Sequence, residues 1–303
     1  MFDLFAVAYI FSYVYLQPIH KWDICMNNEV KLLDHGYLKV IETWGSDARI
    51  VEAARMSTNK GFEGWGPITK QVRQCRNCRI RDDEPGGQDT DICPVTQAWD
   101  AVFDNAHHHW YTRPTDIQVP GDEKLLKFLW DHKHATPFEM AGMIIEVQAP
   151  IVVFREWHRH RTQSYNEMSG RYTKLPDLYY VPSIDRLMNA KQATANKQSS
   201  VVGFSELDAI QLQNSFETMY HASRDAYEQL LSQGVAREVA RLVLPVAQYS
   251  RMRASANLRN WLAFLTLRMD PAAQWEIRQY ANALGDCIHE AFPRTWDLFQ
   301  PSR

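Results

Sequence analysis

The segment Arg159-His160-Arg161-Thr162-Gln163-Ser164-Tyr165-Asn166-Glu167-Met168-Ser169-Gly170-Arg171 gathers three arginines, a histidine, a carboxylate and several hydroxyls with almost nothing apolar. Guanidinium groups present planar forks of donors that match phosphate oxygens, and Ser169-Gly170 lets backbone amides approach the same anion closely. The segment reads as an anion-holding loop; judged on charge alone, it reads as a solvated surface stretch. Further along, Arg237, Glu238 and Arg241 share one helical stretch, with the arginines one turn apart. They either face a common ligand or form a surface ion-pair ladder, the latter suiting Arg237 better. Arg268 closes the apolar run Trp261, Leu262, Phe264, Leu265 and Leu267, so its cation either snorkels or is buried against an anion.

The order of these residues resembles the signature of the flavin-dependent thymidylate synthase family: Arg-His-Arg, two variable residues, Ser, one variable, Asn-Glu, one variable, Ser, one variable, Arg. The resemblance extends through residues 36–57, 134–139, 234–245 and 274–281, covering most of the chain apart from about the first thirty residues and one insertion. It implies an FAD-dependent methyltransferase that converts dUMP to dTMP. Methylene-tetrahydrofolate would be the carbon donor, NADPH the reductant, and the assembly a homotetramer with active sites shared between subunits.

The same resemblance assigns roles residue by residue. Arg159, His160, Arg161 and Glu167 contact FAD, with Ser57, Thr136, Asn257 and Arg259 as further flavin positions and His134 beside the folate and the isoalloxazine ring. Arg159, Ser169, Gly170 and Arg171, joined by Glu156 and Arg241, hold the nucleotide. Ser169 is thus a binding residue, not a nucleophile. Arg268 is the catalytic residue, steadying the uracil ring as its N3 proton is lost and so raising the nucleophilicity of C5. Asn257 also reads, on its own, as a helix cap.

The chain departs from the family pattern at three positions. Glu156 stands where many members carry a glutamine beside the nucleotide, Ala263 replaces an asparagine that contacts FAD, and Ala272 replaces a nearby histidine. An ionised carboxylate only accepts hydrogen bonds, whereas an amide both donates and accepts. Glu156 facing the base would favour a donor edge such as the cytosine amino group, which makes dCMP the alternative substrate; a pairing of Glu156 with Arg155 or Arg159 is the plainer reading.

Composition bounds these readings. At 303 residues and 45% hydrophobic, with ten tryptophans, the chain can bury a substantial core. The formal net charge of -3 offers no broad basic field, so a nucleic-acid-binding derivative using the arginine-rich insertion is disfavoured against a small anionic ligand. Five cysteines, unevenly placed, suit a reducing cytoplasmic setting better than a disulfide framework. Residues 1–16 are apolar but too short to span a bilayer, so no membrane partner is expected. Within the Gly/Pro-rich stretch at about 60–120, Cys75-x-x-Cys78 and Cys93, with His107, His108 or His109, offer ligands for a structural zinc; reduced thiols in an irregular loop are the competing reading.

The elements that must position these groups follow from pattern. Gly36 to Ile41 alternates as a strand, and Ser46-Asp47 caps a helix through Ala54. A helical face runs from Asp122 through Leu125, Leu126, Phe128 and Leu129, ending near His134, where Pro137 biases Thr136 away from helix. Gly142 to Val147 is a strand, and Pro150 opens a helix that delivers Arg155, Arg159 and the signature loop. Ser205 and Asp208 start a long helix through Leu231 closed by Gly234. Two more helices are expected, at about Ser255 to Arg268 and Pro271 to Ala291. The fold class is α+β: a single helix-rich domain at 31–303 with a small mixed sheet and an inserted Cys/Gly/Pro-rich subdomain, preceded by a 1–30 extension.

Overall fold

Alternating burial along Gly36–Trp44 and Gly142–Pro150 sets one side of a sheet against apolar helices. The structure, a computed structural model, describes residues 29–72, 115–194 and 200–300. Its strands are β1 (Val30–Leu32), β2 (Gly36–Trp44), β3 (Ile68–Val72), β4 (Thr115–Val119), β5 (Gly142–Pro150), β6 (Ser164–Glu167), β7 (Lys191–Gln192), β8 (Ser200–Val201) and β9 (Tyr249–Asn257). Its helices are α1 (Asp47–Arg55), α2 (Glu123–Asp131), α3 (Ile151–Trp157), α4 (Ile184–Met188), α5 (Glu206–Ser232), α6 (Arg237–Ala240), α7 (Leu258–Arg268), α8 (Trp275–Ala291) and α9 (Pro293–Phe299). They gather into two units: Gly45–Met140, and the rest of the described chain on either side of it. The α+β class expected from the sequence holds.

The larger unit is built on a sheet of order β1-β2-β5-β9-β6, in which each pairing is antiparallel. Leu38, Val40, Met143, Ile145, Val147, Met252, Ala254 and Ala256 form its buried face. Against it lie α7 and α8, the latter through Ile277, Tyr280, Ala281, Leu284 and Ile288, which recur at helical spacing. Burial of each large side chain contributes about 1.5–3 kcal/mol. Two hydrogen bonds fix the orientation: Trp261 Nε1 donates to Met143 O at 3.0 Å and Tyr280 Oη to Gln148 O at 2.8 Å. Only glycine fits at 142, because a Cβ there would meet Ala256 O at 2.5 Å and the Trp44 ring.

Several boundaries differ from the sequence expectation, each for a physical reason. Residues 255–257 belong to β9 rather than to the following helix, which begins at Leu258. The strand lies between β5 and β6, but it is rich in Ser, Ala and Arg rather than β-branched residues, so local propensity hides it. The last long helix starts at Trp275 instead of Pro271; Asp270 Oδ1 accepts from Ala272 N at 2.7 Å and turns the chain first. The signature is not a continuous loop, since Ser164–Glu167 pairs with β9. Thr136–Glu139 is a short 3-10 turn with Pro137 in its first positions, where no amide donor is needed. Elsewhere the caps are as read: Ser46 accepts from Arg49 N, and Ser205 with Asp208 forms a full capping box.

In the unit Gly45–Met140, Ile50, Val51, Leu126, Leu129 and Phe138 are buried, while Phe128 is exposed and stacks on His132. Asp122 precedes α2 but does not cap it with its side chain. Its carboxylate instead takes Arg55, partly through Nε at 3.0 Å, and the amide of Glu63 at 2.7 Å. With Asp122 fully buried, removing it leaves the largely buried Arg55 cation to Glu63 alone among the described carboxylates, at 3.0 Å, and leaves the Glu63 amide donor unmet. Asp122→Ala should therefore lower stability by about 3 kcal/mol, read from the urea midpoint, with hydrogen exchange accelerating first around Glu63.

Candidate active site

Pro150 starts α3 without an amide donor, and the helix buries Val153, Phe154 and Trp157 while leaving Arg155 outside. Helix α7 buries Leu258, Trp261, Leu262, Phe264 and Leu265 and ends at Arg268. The Trp157 and Phe264 rings meet at 4.5 Å between centroids, which brings the C-terminal ends of the two helices together. There Arg268 donates from Nε to His160 Nε2 at 2.9 Å, from Nη1 to Glu156 Oε2 at 2.7 Å and from Nη2 to Glu156 O at 2.9 Å. The Arg268 side chain is only 15% exposed, so its charge is held by these partners rather than by water. Glu156 thus pairs with Arg268, not with Arg155 or Arg159 as expected.

Burial, and then the neighbouring Arg268 cation, push the His160 imidazole down from 6.5 to about 4. The geometry agrees: Nε2 must be unprotonated to accept the Arg268 N–H, so the ring proton sits on Nδ1. Phe264 flanks the imidazole at 4.8 Å. Three residues that motif matching did not single out hold the loop in place. Tyr165 Oη donates its one proton to His160 O at 2.6 Å, with Trp157 O a longer neighbour at 3.3 Å, and burial pushes its phenol up to about 12, keeping it a donor. Trp157 Nε1 donates to Gln163 Oε1 at 3.1 Å, and Asn260 Nδ2 reaches across from α7 to Thr162 O at 3.0 Å. Tyr165 and Gln163 occupy variable signature positions, which is why motif matching passed over them.

A second group forms at the other end of the signature. Gly170 is buried with its Cα side against Arg241, whose Cδ would lie 3.3 Å from any Cβ there. Arg171 N donates to Ser169 Oγ at 3.3 Å, and Arg171 Nε pairs with Glu238 at 3.1 Å. Arg237 donates to Tyr172 O at 3.3 Å, so Glu238 serves the signature rather than an Arg237 ladder. The structure therefore joins Arg268 with Glu156 and His160, and joins Arg241 with the Ser169–Arg171 turn. Among the described residues, no carboxylate pairs with Arg155, Arg159, Arg161 or Arg241. Unpaired cations clustered in sequence repel one another, and phosphate-bearing guests of the kind the signature implies fit that donor set.

The remaining sequence candidates are placed as follows. Asn257 caps α7, its Oδ1 accepting from Asn260 N at 3.0 Å. Glu167 lies exposed at the end of β6, and Arg259 and Ala263 are exposed on α7. In the other unit, Ser57 Oγ donates to Ala54 O at 2.9 Å, His134 is exposed with its ring 5.6 Å from that of Phe128, and Thr136 opens the 3-10 turn. Cys75, Cys78 and Cys93, with His107 to His109, lie outside the described residues.

The fold is shared with solved pyrimidine-nucleotide methylases. The UMP/dUMP methylase PolB from Streptomyces cacaoi bound with 5-Br UMP aligns at a TM-score of 0.64 and 26% identity, covering 90% of this chain and 97% of that one. Its complex with 5-Br dUMP aligns at 0.63 and 27%, with the same coverage. A flavin-dependent thymidylate synthase of Thermus thermophilus is 34% identical over 271 residues, 89% of this chain and 78% of that protein. One from Thermosipho africanus is 32% identical over 276 residues, 89% and 93%. Residues 39–294 match the Thy1 family, thymidylate synthase complementing protein. The chain belongs to the flavin-dependent thymidylate synthase family and is a methyltransferase of that type.

Because the folded His160 binds a proton only near pH 4 while the unfolded one binds near 6.5, its contribution to stability is complete above about pH 6.5 and is lost as pH falls towards 4. An NMR titration should place the His160 midpoint near 4, and His160→Gln should flatten the stability profile across that window. A midpoint near 6.5 would contradict the hydrogen bond from Arg268.

Proposed function

We propose that the enzyme converts dUMP to dTMP, taking its one-carbon unit from methylene-tetrahydrofolate and its reducing equivalents from NADPH. The C5–H bond of the base is replaced by C5–CH3, the methylene carbon takes up one hydride, and tetrahydrofolate leaves with both formerly bridged nitrogens protonated, one proton equivalent coming from C5–H and one from solvent. When bound, FAD supplies the hydride-transfer capacity that links NADPH to the nascent methyl group.

The observation that carries this reading is the Arg268 guanidinium, largely buried and fixed by Glu156 and His160 beside the arginine-rich signature. Of its five N–H donors three are engaged within the protein, which leaves two for a ligand. A fixed positive fork steadies a pyrimidine ring as its N3 proton leaves, and the extra charge density at C5 makes that carbon a nucleophile. Arg159, Ser169, Gly170, Arg171 and Arg241 are the residues proposed to hold the nucleotide, Gly170 allowing its backbone to approach a phosphate. Arg159, His160, Arg161, Glu167, Asn257 and Arg259 are proposed to hold FAD. Ser57 and Thr136 are flavin candidates and His134 a folate neighbour in the Gly45–Met140 unit. A homotetramer sharing these sites is the assembly proposed with them.

The solved PolB complexes hold 5-Br UMP and 5-Br dUMP, which supports a uracil nucleotide as the substrate class. Anaerobic turnover with NADPH and methylene-tetrahydrofolate, comparing dUMP, UMP and dCMP, tests the reading; release of the C5 hydrogen from dUMP is the expected result, and turnover of dCMP alone would refute it. Arg268→Ala should cut dTMP formation by a factor of about one hundred or more while flavin absorbance co-purifies largely unchanged. Retained turnover in that variant would remove Arg268 from the chemistry.

A further inference from the structure

We infer that Glu156 is a positioning residue that acts through Arg268, and that it does not read the pyrimidine base. The inference rests on the proposed function, in which Arg268 faces the nucleotide. Glu156 supplies two of the three acceptors on the Arg268 guanidinium: Oε2, 2.7 Å from Nη1, and its main-chain O, 2.9 Å from Nη2. His160, one turn further along the chain, supplies the third at Nε. A single stretch at the end of α3 therefore grips the guanidinium plane along most of its edge. One N–H group is left over on each terminal nitrogen.

The alternative for Glu156, accepting from a base, needs its carboxylate to turn away from Arg268. That would leave a guanidinium only 15% exposed with no anionic partner, because His160 is held neutral and the main-chain oxygen carries no net charge. The Glu156 side chain is itself 40% exposed, so the pair is not locked by burial; the fork geometry and the second bond to the main chain fix it. Rotating the fork moves the two free donors off a ring that must be met in one orientation, and catalysis is steep in such displacements. Glu156 thus sets where the fork points and leaves the choice of base to the donors of Arg268.

A double-mutant cycle on nucleotide affinity tests this. Calorimetric dUMP titrations of the purified FAD-bound enzyme would cover the wild type, Glu156→Ala, Arg268→Ala and the double variant. Glu156→Ala should weaken dUMP about tenfold, and the double variant should bind no more weakly than Arg268→Ala alone. Glu156→Gln, whose amide oxygen accepts the same hydrogen bond, should restore dUMP affinity to within about threefold of wild type with dUMP still preferred over dCMP. Independent, multiplying losses in the double variant, or a switch of preference to dCMP in Glu156→Gln, would overturn the inference and make Glu156 a direct reader of the base. Wild-type enzyme that fails to bind dUMP would instead sink the proposed function on which the assignment stands.

Discussion

A cation with little access to water must be held by something, and at Arg268 that requirement organises the candidate site. The guanidinium sits at the end of α7, behind a helix face of Trp261, Leu262, Phe264 and Leu265. Glu156 and a neutral His160 meet three of its donors. The neutrality of His160 belongs to the same arrangement, for a protonated ring would aim an N–H at another N–H. Packing of Trp157 on Phe264 sets the two helix ends at the right separation, so the polar cluster depends on an apolar contact.

The signature divides its work between its two ends. The Arg-His-Arg end is fastened by Tyr165, by Gln163 on Trp157 and by Asn260 on Thr162, and its middle is stitched to β9 as an edge strand. The Ser-Gly-Arg end folds against Arg241, Glu238 and Arg237. Between these anchors the side chains of Arg159 and Arg161 stay outside and without carboxylate partners among the described residues. A rigid backbone carrying uncommitted guanidinium groups suits a ligand that brings its own negative charge, because little ordering cost remains to be met on binding.

How much of this was legible in the sequence differs by element. Helix α5 was readable because Ser205 and Asp208 are a local device and the caps do not depend on distant contacts. The helix at 123–131 was readable from its apolar spacing, although Phe128, counted with the buried face, is exposed. Strand β9 was missed: its Ser, Ala and Arg residues carry little strand propensity, and what makes it a strand is the pairing with β5 on one side and β6 on the other. The same cause hid β6 inside what looked like a loop. Asp122 stands at the beginning of α2 as read, and its carboxylate also ties Arg55 to the amide of Glu63, a bond spanning 59 residues.

The sequence alone determined the family, the arginine-rich character of residues 159–171 and most helix starts, since residue type, order and capping are properties of short stretches of chain. Which partner each charge takes was decided only by the tertiary structure. Glu156 had two arginines near it in sequence, yet it pairs with Arg268, 112 residues away. Glu238 likewise leaves neighbouring Arg237 for Arg171, 67 residues away. A charge finds its partner across folded space, and side-chain identity says what it needs without saying where the chain will bring it.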